Sequence, residues 1–143
     1  MSALLVVDAS VAAKWVLAEP GSEAARLLTD EFTLIAPDTM LLELCNVMSR
    51  RERRKLLTAA QTDTAFDLLV ELSPLLYPTQ PLVAAAFELS RGLQISFWDT
   101  IYLALALDRA CGLITADQRF FHAVVGKYPL VQLLDSPGFS WQH

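Results

Sequence analysis

Apolar residues follow two rhythms along this chain. Ala3 to Val7, Phe32 to Ala36, Leu75 to Tyr77, Leu113 to Thr115 and Val131 to Leu134 are short, nearly unbroken apolar runs. Such runs read as strands buried on both faces. Between them the apolar positions recur at helical spacing. A helix is predicted over 10–18 with Ser10 as its N-cap, and a second runs from the Pro20-Gly21 break to Asp30. Pro37 stops the second strand. Asp38 then caps a helix to Lys55 that carries Met40, Leu41, Leu44, Val47 and Met48 on one face. Thr58 caps a helix to Leu72, Thr79 starts one that ends at Arg91-Gly92, and Ser96 caps a strongly apolar one to Ala110. Strands alternating with helices predict an α/β domain with a parallel sheet covered on both faces.

At 143 residues, with no internal repeat or Gly/Ser linker, the chain is expected to form a single domain over 1–143. The hydrophobic fraction is 54% and the mean hydropathy +0.39, high for so small a protein. Burial of that surplus between subunits predicts a homo-oligomer. The longest apolar runs reach about seven residues, far short of the roughly 20 that span a bilayer, so no membrane helix is expected. No basic residue precedes the run at Ala3 to Val7 and Asp8 ends it, unlike a signal peptide. Cys45 and Cys111 lie far apart in apolar sequence, which fits free thiols and a reducing cytoplasm.

Charge sharpens the picture. The net charge is −5, yet residues 50–55, Arg-Arg-Glu-Arg-Arg-Lys, carry +4 and leave −9 on the remainder. A general nucleic-acid binder would carry broad positive charge. An acidic body with one basic patch still suits an enzyme that holds phosphates locally, and Arg50, Arg51, Arg53, Arg54 and Lys55 are candidate RNA contacts. Four acids stand in apolar neighbourhoods: Asp8 after the first strand, Glu43 within Leu41-Leu-Glu-Leu-Cys45, Asp99 early in the Ser96 helix, and Asp117 after the run to Thr115. Charges there are costly unless paired or metal-bound, and little positive charge lies beside them in sequence. A hard cation such as Mg2+ or Mn2+ is the expected partner. Ligands of parallel α/β sheets sit beyond the carboxyl ends of the strands, which is where Asp8 and Asp117 fall. Asn46 shares the helix face of Glu43.

Simpler roles compete for these residues. Asp8 and Asp117 could cap helices, and Asp99 stands three residues after Ser96, near the spacing of a capping box. Glu43 has no capping use. The basic run suits a solvated helix C-terminus. Trp15, Phe97 and Trp98 read as core or interface residues before base-stacking platforms. His122 and His143 make a poor zinc site, and no Gly-rich phosphate loop or Ser-His-Asp order is present.

Taken in order, Val7-Asp8-Ala9-Ser10, Ala36-Pro37, Leu42-Glu43-Leu-Cys-Asn46-Val47, Ser96-Phe-Trp-Asp99-Thr-Ile-Tyr102 and Leu113-Ile-Thr115-Ala-Asp117-Gln-Arg119-Phe120 resemble a PIN domain. The resemblance is to the small single-domain PIN toxins of VapBC-type toxin–antitoxin pairs, and it runs from Val6 to about Leu134. It implies a three-layer α/β/α fold with a mainly parallel sheet, and Mg2+- or Mn2+-dependent endoribonuclease activity. It also implies a homodimer and a cognate antitoxin that blocks the site. Carried onto this chain, Asp8, Glu43, Asp99 and Asp117 form the acidic, metal-binding site, with Ser10 and Thr115 as hydroxyl neighbours. Asn46 and Thr115 would orient the ligands. Trp15 and Val16, near Asp8 on the first helix, are candidates for an antitoxin groove. Two alternatives stand beside the toxin. One is a PIN module that is non-catalytic or processes RNA. The other is a haloacid-dehalogenase-type phosphatase, which would want an Asp where Ser10 stands.

Overall fold

The computed structural model describes residues 3–134. Five strands form one sheet: β1 (Ala3–Val7), β2 (Phe32–Pro37), β3 (Leu75–Tyr77), β4 (Gly112–Thr115) and β5 (Val131–Leu133). Every neighbouring pair is parallel, in the order β3-β2-β1-β4-β5. Seven α-helices connect them: α1 (Ala9–Val16), α2 (Ser22–Glu31), α3 (Thr39–Arg53), α4 (Ala59–Leu72), α5 (Val83–Leu93), α6 (Phe97–Asp108) and α7 (Gln118–Val124). From β1 the chain steps outward to β2 and β3, then returns to β4 and β5. Right-handed crossovers therefore put α1 to α4 on one face of the sheet and α5 to α7 on the other. The result is the three-layer α/β/α arrangement expected, with a wholly parallel sheet. The reversal lies between β1 and β4, and their carboxyl ends mark the crevice where such sheets bind ligands.

The core explains the apolar runs. Leu5, Val6 and Val7 of β1, Ile35 and Ala36 of β2, and Leu113 and Ile114 of β4 are buried, as central parallel strands require. Helix α6 packs on β1, β2 and β4, and all its residues from Thr100 to Ala106 are buried. That position accounts for a helix with almost no polar face. At roughly 25 cal/mol per Å2 of buried apolar surface, such a helix is held by packing far more than by propensity.

Several boundaries differ from expectation for local reasons. Helix α1 begins at Ala9, so Ser10 lies inside it; the Ser10 hydroxyl turns to Asp8 and Thr115 instead of capping. Pro37 is the last residue of β2, in register with Tyr77 where the ladder ends. Helix α3 stops at Arg53, because Lys55 takes a left-handed backbone (φ 60°). Asp38 occupies the cap position there without a side-chain bond. Pro81 makes the segment after Thr79 a 3-10 turn over Gln80–Leu82 before α5, which runs through Gly92 and ends where Gln94 turns left-handed. Thr58 forms a full capping box with Gln61, and Ser96 caps α6 through the Trp98 N–H. Cys45 and Cys111 are free, half-buried thiols. No helix among the described residues is long and apolar enough to cross a membrane. His143 lies outside the described residues.

Candidate active site at the sheet crevice

Asp8 occupies the turn from β1 into α1 and is 7% exposed. Its backbone N–H donates to the Ile114 carbonyl at 3.0 Å, extending the β1–β4 ladder and tying the turn to β4. Two hydroxyls reach the same oxygen: Ser10 Oγ donates to Asp8 Oδ2 at 3.0 Å and Thr115 Oγ1 donates to it at 2.6 Å. Ser10 Oγ in turn accepts the Ala116 N–H and Thr115 Oγ1 accepts the Asp117 N–H, each at 3.0 Å. One small network thus fixes the end of β1 against the start of the loop after β4.

Glu43, in the second turn of α3, accepts a 2.9 Å hydrogen bond at Oε1 from the buried Tyr102 hydroxyl of α6. Tyr102 has no role assigned by motif reading beyond its place in the Ser96 segment. Its signal was available: a lone phenol on an apolar helix, three residues after Asp99 and so on the same face. Asp99 sits in the first turn of α6. Asp117 caps α7, its Oδ1 accepting the Phe120 N–H at 3.1 Å, so for this acid the capping role is real and occupies one oxygen.

These four carboxylates are electrostatically coupled. Burial, followed by the charge of Asp117, pushes the Asp8 carboxyl above its ordinary range against the pull of its hydroxyl partners. Burial raises Glu43 to about 7, helped by the charges of Asp8 and Asp99 and opposed by the Tyr102 bond. Burial and the charges of Asp8 and Asp117 raise Asp99 to about 6. The Tyr102 phenol is held strongly protonated by burial and by the neighbouring Asp8 and Glu43 charges. None of these shifts has a basic side chain among its causes. Oxygen donors whose carboxyls are pushed toward the protonated form by burial and by one another's charge are the chemistry that a hard divalent cation completes. Asp99 and Asp117 line one cleft together with Arg119, while Glu43, Ser10 and Ala116 line another together with Lys14 and Arg51. Among the described residues no three His, Cys, Asp or Glu side chains already stand close enough to enclose an ion. The donor set therefore fits a cation in type and charge, with the acids spread along the crevice.

The basic run divides into separate parts. Arg50 lies in a groove with Glu43 and Asn46, one helical row along α3. Arg51 is an ion-pair partner of Glu19 at 2.9 Å, and Arg53 donates to Ser49 at 2.7 Å. Arg54 and Lys55 are exposed at the helix end. A uniform phosphate-binding strip is thus replaced by Arg50 in the groove with Glu43, Arg51 tied to Glu19 at the other cleft that Glu43 lines, and Arg53, Arg54 and Lys55 beyond. Trp15 is core, fully buried with its indole N–H on the Ala25 carbonyl, so only Val16 of the expected pair borders an apolar groove. Trp98, in contrast, is 59% exposed on the rim of the site.

The sequence matches the profile of the PIN domain over residues 5–126. No curated protein matches it. Among solved structures it is similar to PAE2754 from Pyrobaculum aerophilum (14% identity, 88% of this chain and 90% of that one, TM-score 0.65). VapC20 of Mycobacterium tuberculosis, a sarcin–ricin-loop-cleaving toxin, is 20% identical, with 84% and 95% covered and a TM-score of 0.62. VapBC2 from Rickettsia felis, bound to a promoter DNA fragment, is 16% identical, with 92% and 99% covered and a TM-score of 0.64. At these identities the likeness establishes shared fold.

Proposed function

This chain belongs to the PIN domain family, and we propose that it is a Mg2+- or Mn2+-dependent endoribonuclease acting as the toxin of a toxin–antitoxin pair. The observation that carries the proposal is the crevice between β1 and β4, where burial and neighbouring acidic charges raise the proton affinity of Asp8, Glu43 and Asp99, with no basic side chain among the causes of those shifts. A bound divalent ion there would supply charge neutralisation at the scissile phosphate, an activated in-line water and stabilisation of the leaving oxygen. Asp8, Asp99 and Asp117 would hold it directly or through water, with Glu43 as a further ligand or as the group that positions the attacking water. Ser10 and Thr115 hold Asp8 in one orientation, and Tyr102 does the same for Glu43. Asn46 offers an amide beside Glu43 for orienting the same groups.

An antitoxin partner belongs to the proposal because VapC20 is a toxin and VapBC2 is a toxin–antitoxin complex, both of the same fold. A homodimer is supported by apolar surface left open on α5, at Val83 and Phe87, and on the edge strand β3, at Leu75 and Leu76. The test is hydrolysis of structured RNA with Mn2+, run beside a small phosphate ester. RNA cleavage that is abolished by chelation is expected. Ester hydrolysis alone would instead indicate a phosphatase, and neither activity a non-catalytic PIN module. Production of the chain alone should arrest growth, and Asp8→Asn should relieve the arrest. Harmless overproduction of an active enzyme would point to RNA processing.

A further inference from the structure

One groove beside the acids is not explained by metal chemistry. It has a volume of about 530 Å3 and is walled by Trp98 and Leu42, with Thr39, Glu43, Asn46 and Arg50 between and around them. Trp98 is 59% exposed and Leu42 71% exposed, although both belong to ordered helices next to buried core. The Trp98 indole is braced by Phe97 in an edge contact, centroids 6.0 Å apart at 74°. Phe97 itself packs against the core. A rigid aromatic face thus stands open immediately before Asp99. Opposite it, Asn46 presents an amide that can both donate and accept, and Thr39 Oγ1 is a buried hydroxyl with no hydrogen-bond partner. Arg50 makes no ion pair among the described residues.

We propose that this groove is a nucleobase subsite, in which an unpaired base flanking the cleaved bond stacks on Trp98 against Leu42. This deepens the ribonuclease reading and rests on it. The base edge takes hydrogen bonds from Asn46 and Thr39, and Arg50 neutralises the adjoining phosphate. An apolar protein side chain would fill the groove while leaving the buried Thr39 hydroxyl unpaired, which is costly for a buried polar group. A flat heterocycle with polar edges satisfies the walls and the floor together. Glu43 lines this groove and also the cleft that holds Ser10 and Ala116, so the groove adjoins the acids. Recognition of single-stranded RNA by splayed-out bases on aromatic faces is the usual route to RNA selectivity.

The test measures binding of short single-stranded RNA, and of the same ribose-phosphate backbone lacking bases, to Asp8→Asn protein, which binds without cutting. Stacking on an exposed aromatic is worth about 1–3 kcal/mol per base, or roughly 5- to 150-fold. Adding Trp98→Ala should therefore weaken base-bearing RNA by at least about fivefold and leave the abasic strand unchanged, while Trp98→Phe retains most of the affinity. In the active enzyme Trp98→Ala should raise KM with a smaller effect on kcat. Equal loss for both strands, or no loss for either, would overturn the subsite. A Trp98→Ala protein that binds RNA normally but sediments as a smaller species would show a subunit contact instead. RNA that is bound through its bases yet never cleaved would leave the subsite standing and remove the nuclease. Absence of any RNA binding would remove both.

Discussion

The Tyr102 hydroxyl of α6 reaches Glu43 of α3 and lowers its proton affinity. Its hydrogen bond favours the charged carboxylate and works against the burial that lifts the group to about 7. Tyr102→Phe removes that donor, so the Glu43 pKa rises further. At limiting Mn2+ the acid limb of the cleavage pH profile should then move upward by about one unit, the scale of a hydrogen bond to a charged group. A limb that stays in place would show that Tyr102 only packs. At this scale the sequence disclosed the acids well, because a carboxylate in an apolar run is conspicuous. It disclosed their partners less well. Ser10 read as a cap from its position and as a hydroxyl neighbour of the acids from the family resemblance; the folded chain shows the second, its hydroxyl turned to Asp8 and to Thr115, 105 residues away.

Among the elements, α3 carries the most varied duties. Met40, Leu44 and Met48 bury one face, while Glu43, Asn46 and Arg50 form a polar row on another. Helical spacing made the buried face legible, and the same spacing placed Asn46 beside Glu43. The basic run was less legible, since a run of like charges looks uniform until each side chain finds a partner. With Arg51 engaged by Glu19, the run should behave unevenly. Arg50→Gln should weaken RNA binding by several-fold and reduce the salt slope by about one, as loss of one phosphate contact does. Arg54→Gln and Lys55→Gln should change either quantity much less. Filter binding or fluorescence anisotropy across a salt series would decide it, and equal effects at all three positions would favour a diffuse patch. Arg51→Gln should instead act on stability, by about 1 kcal/mol or less for a pair still partly open to solvent.

For the whole molecule, topology does what local sequence could not state. Alternating runs and helices made the parallel α/β class plain, and the segments up to Asp117 follow that expectation to within a few residues. Strand order is a long-range property, and it is the return from β3 to β4 that brings Asp117 and Thr115 beside Asp8. The cost is a crevice where burial and mutual repulsion hold carboxyls above their ordinary proton affinity. Glu43 and Asp99 have folded-state values of about 7 and about 6, above their ordinary 4.5 and 3.8. Between those limits the folded chain binds more protons than the unfolded chain. Stability of the metal-free protein should therefore fall as pH rises from about 4 to about 7 through these groups. Saturating Mn2+ competes with the protons and stabilises the folded state, so it should flatten that slope and raise Tm by several degrees near pH 8. Thermal melts with and without metal would check both, and a slope of the opposite sign without metal would contradict the electrostatics described for the crevice.

The central claim is that these acids hold a divalent cation for phosphodiester cleavage, and calorimetric titration of Mn2+ into wild-type, Asp8→Asn and Asp99→Asn protein at about pH 8 tests it most directly. Wild-type protein should bind Mn2+ saturably. Each variant should keep its fold, bind at least about tenfold more weakly and lose RNA cleavage, because a ligand is gone while the desolvation penalty of a buried charge and the repulsion between acids are relieved. Binding that is absent in the wild type, or unchanged in both variants, would contradict the account.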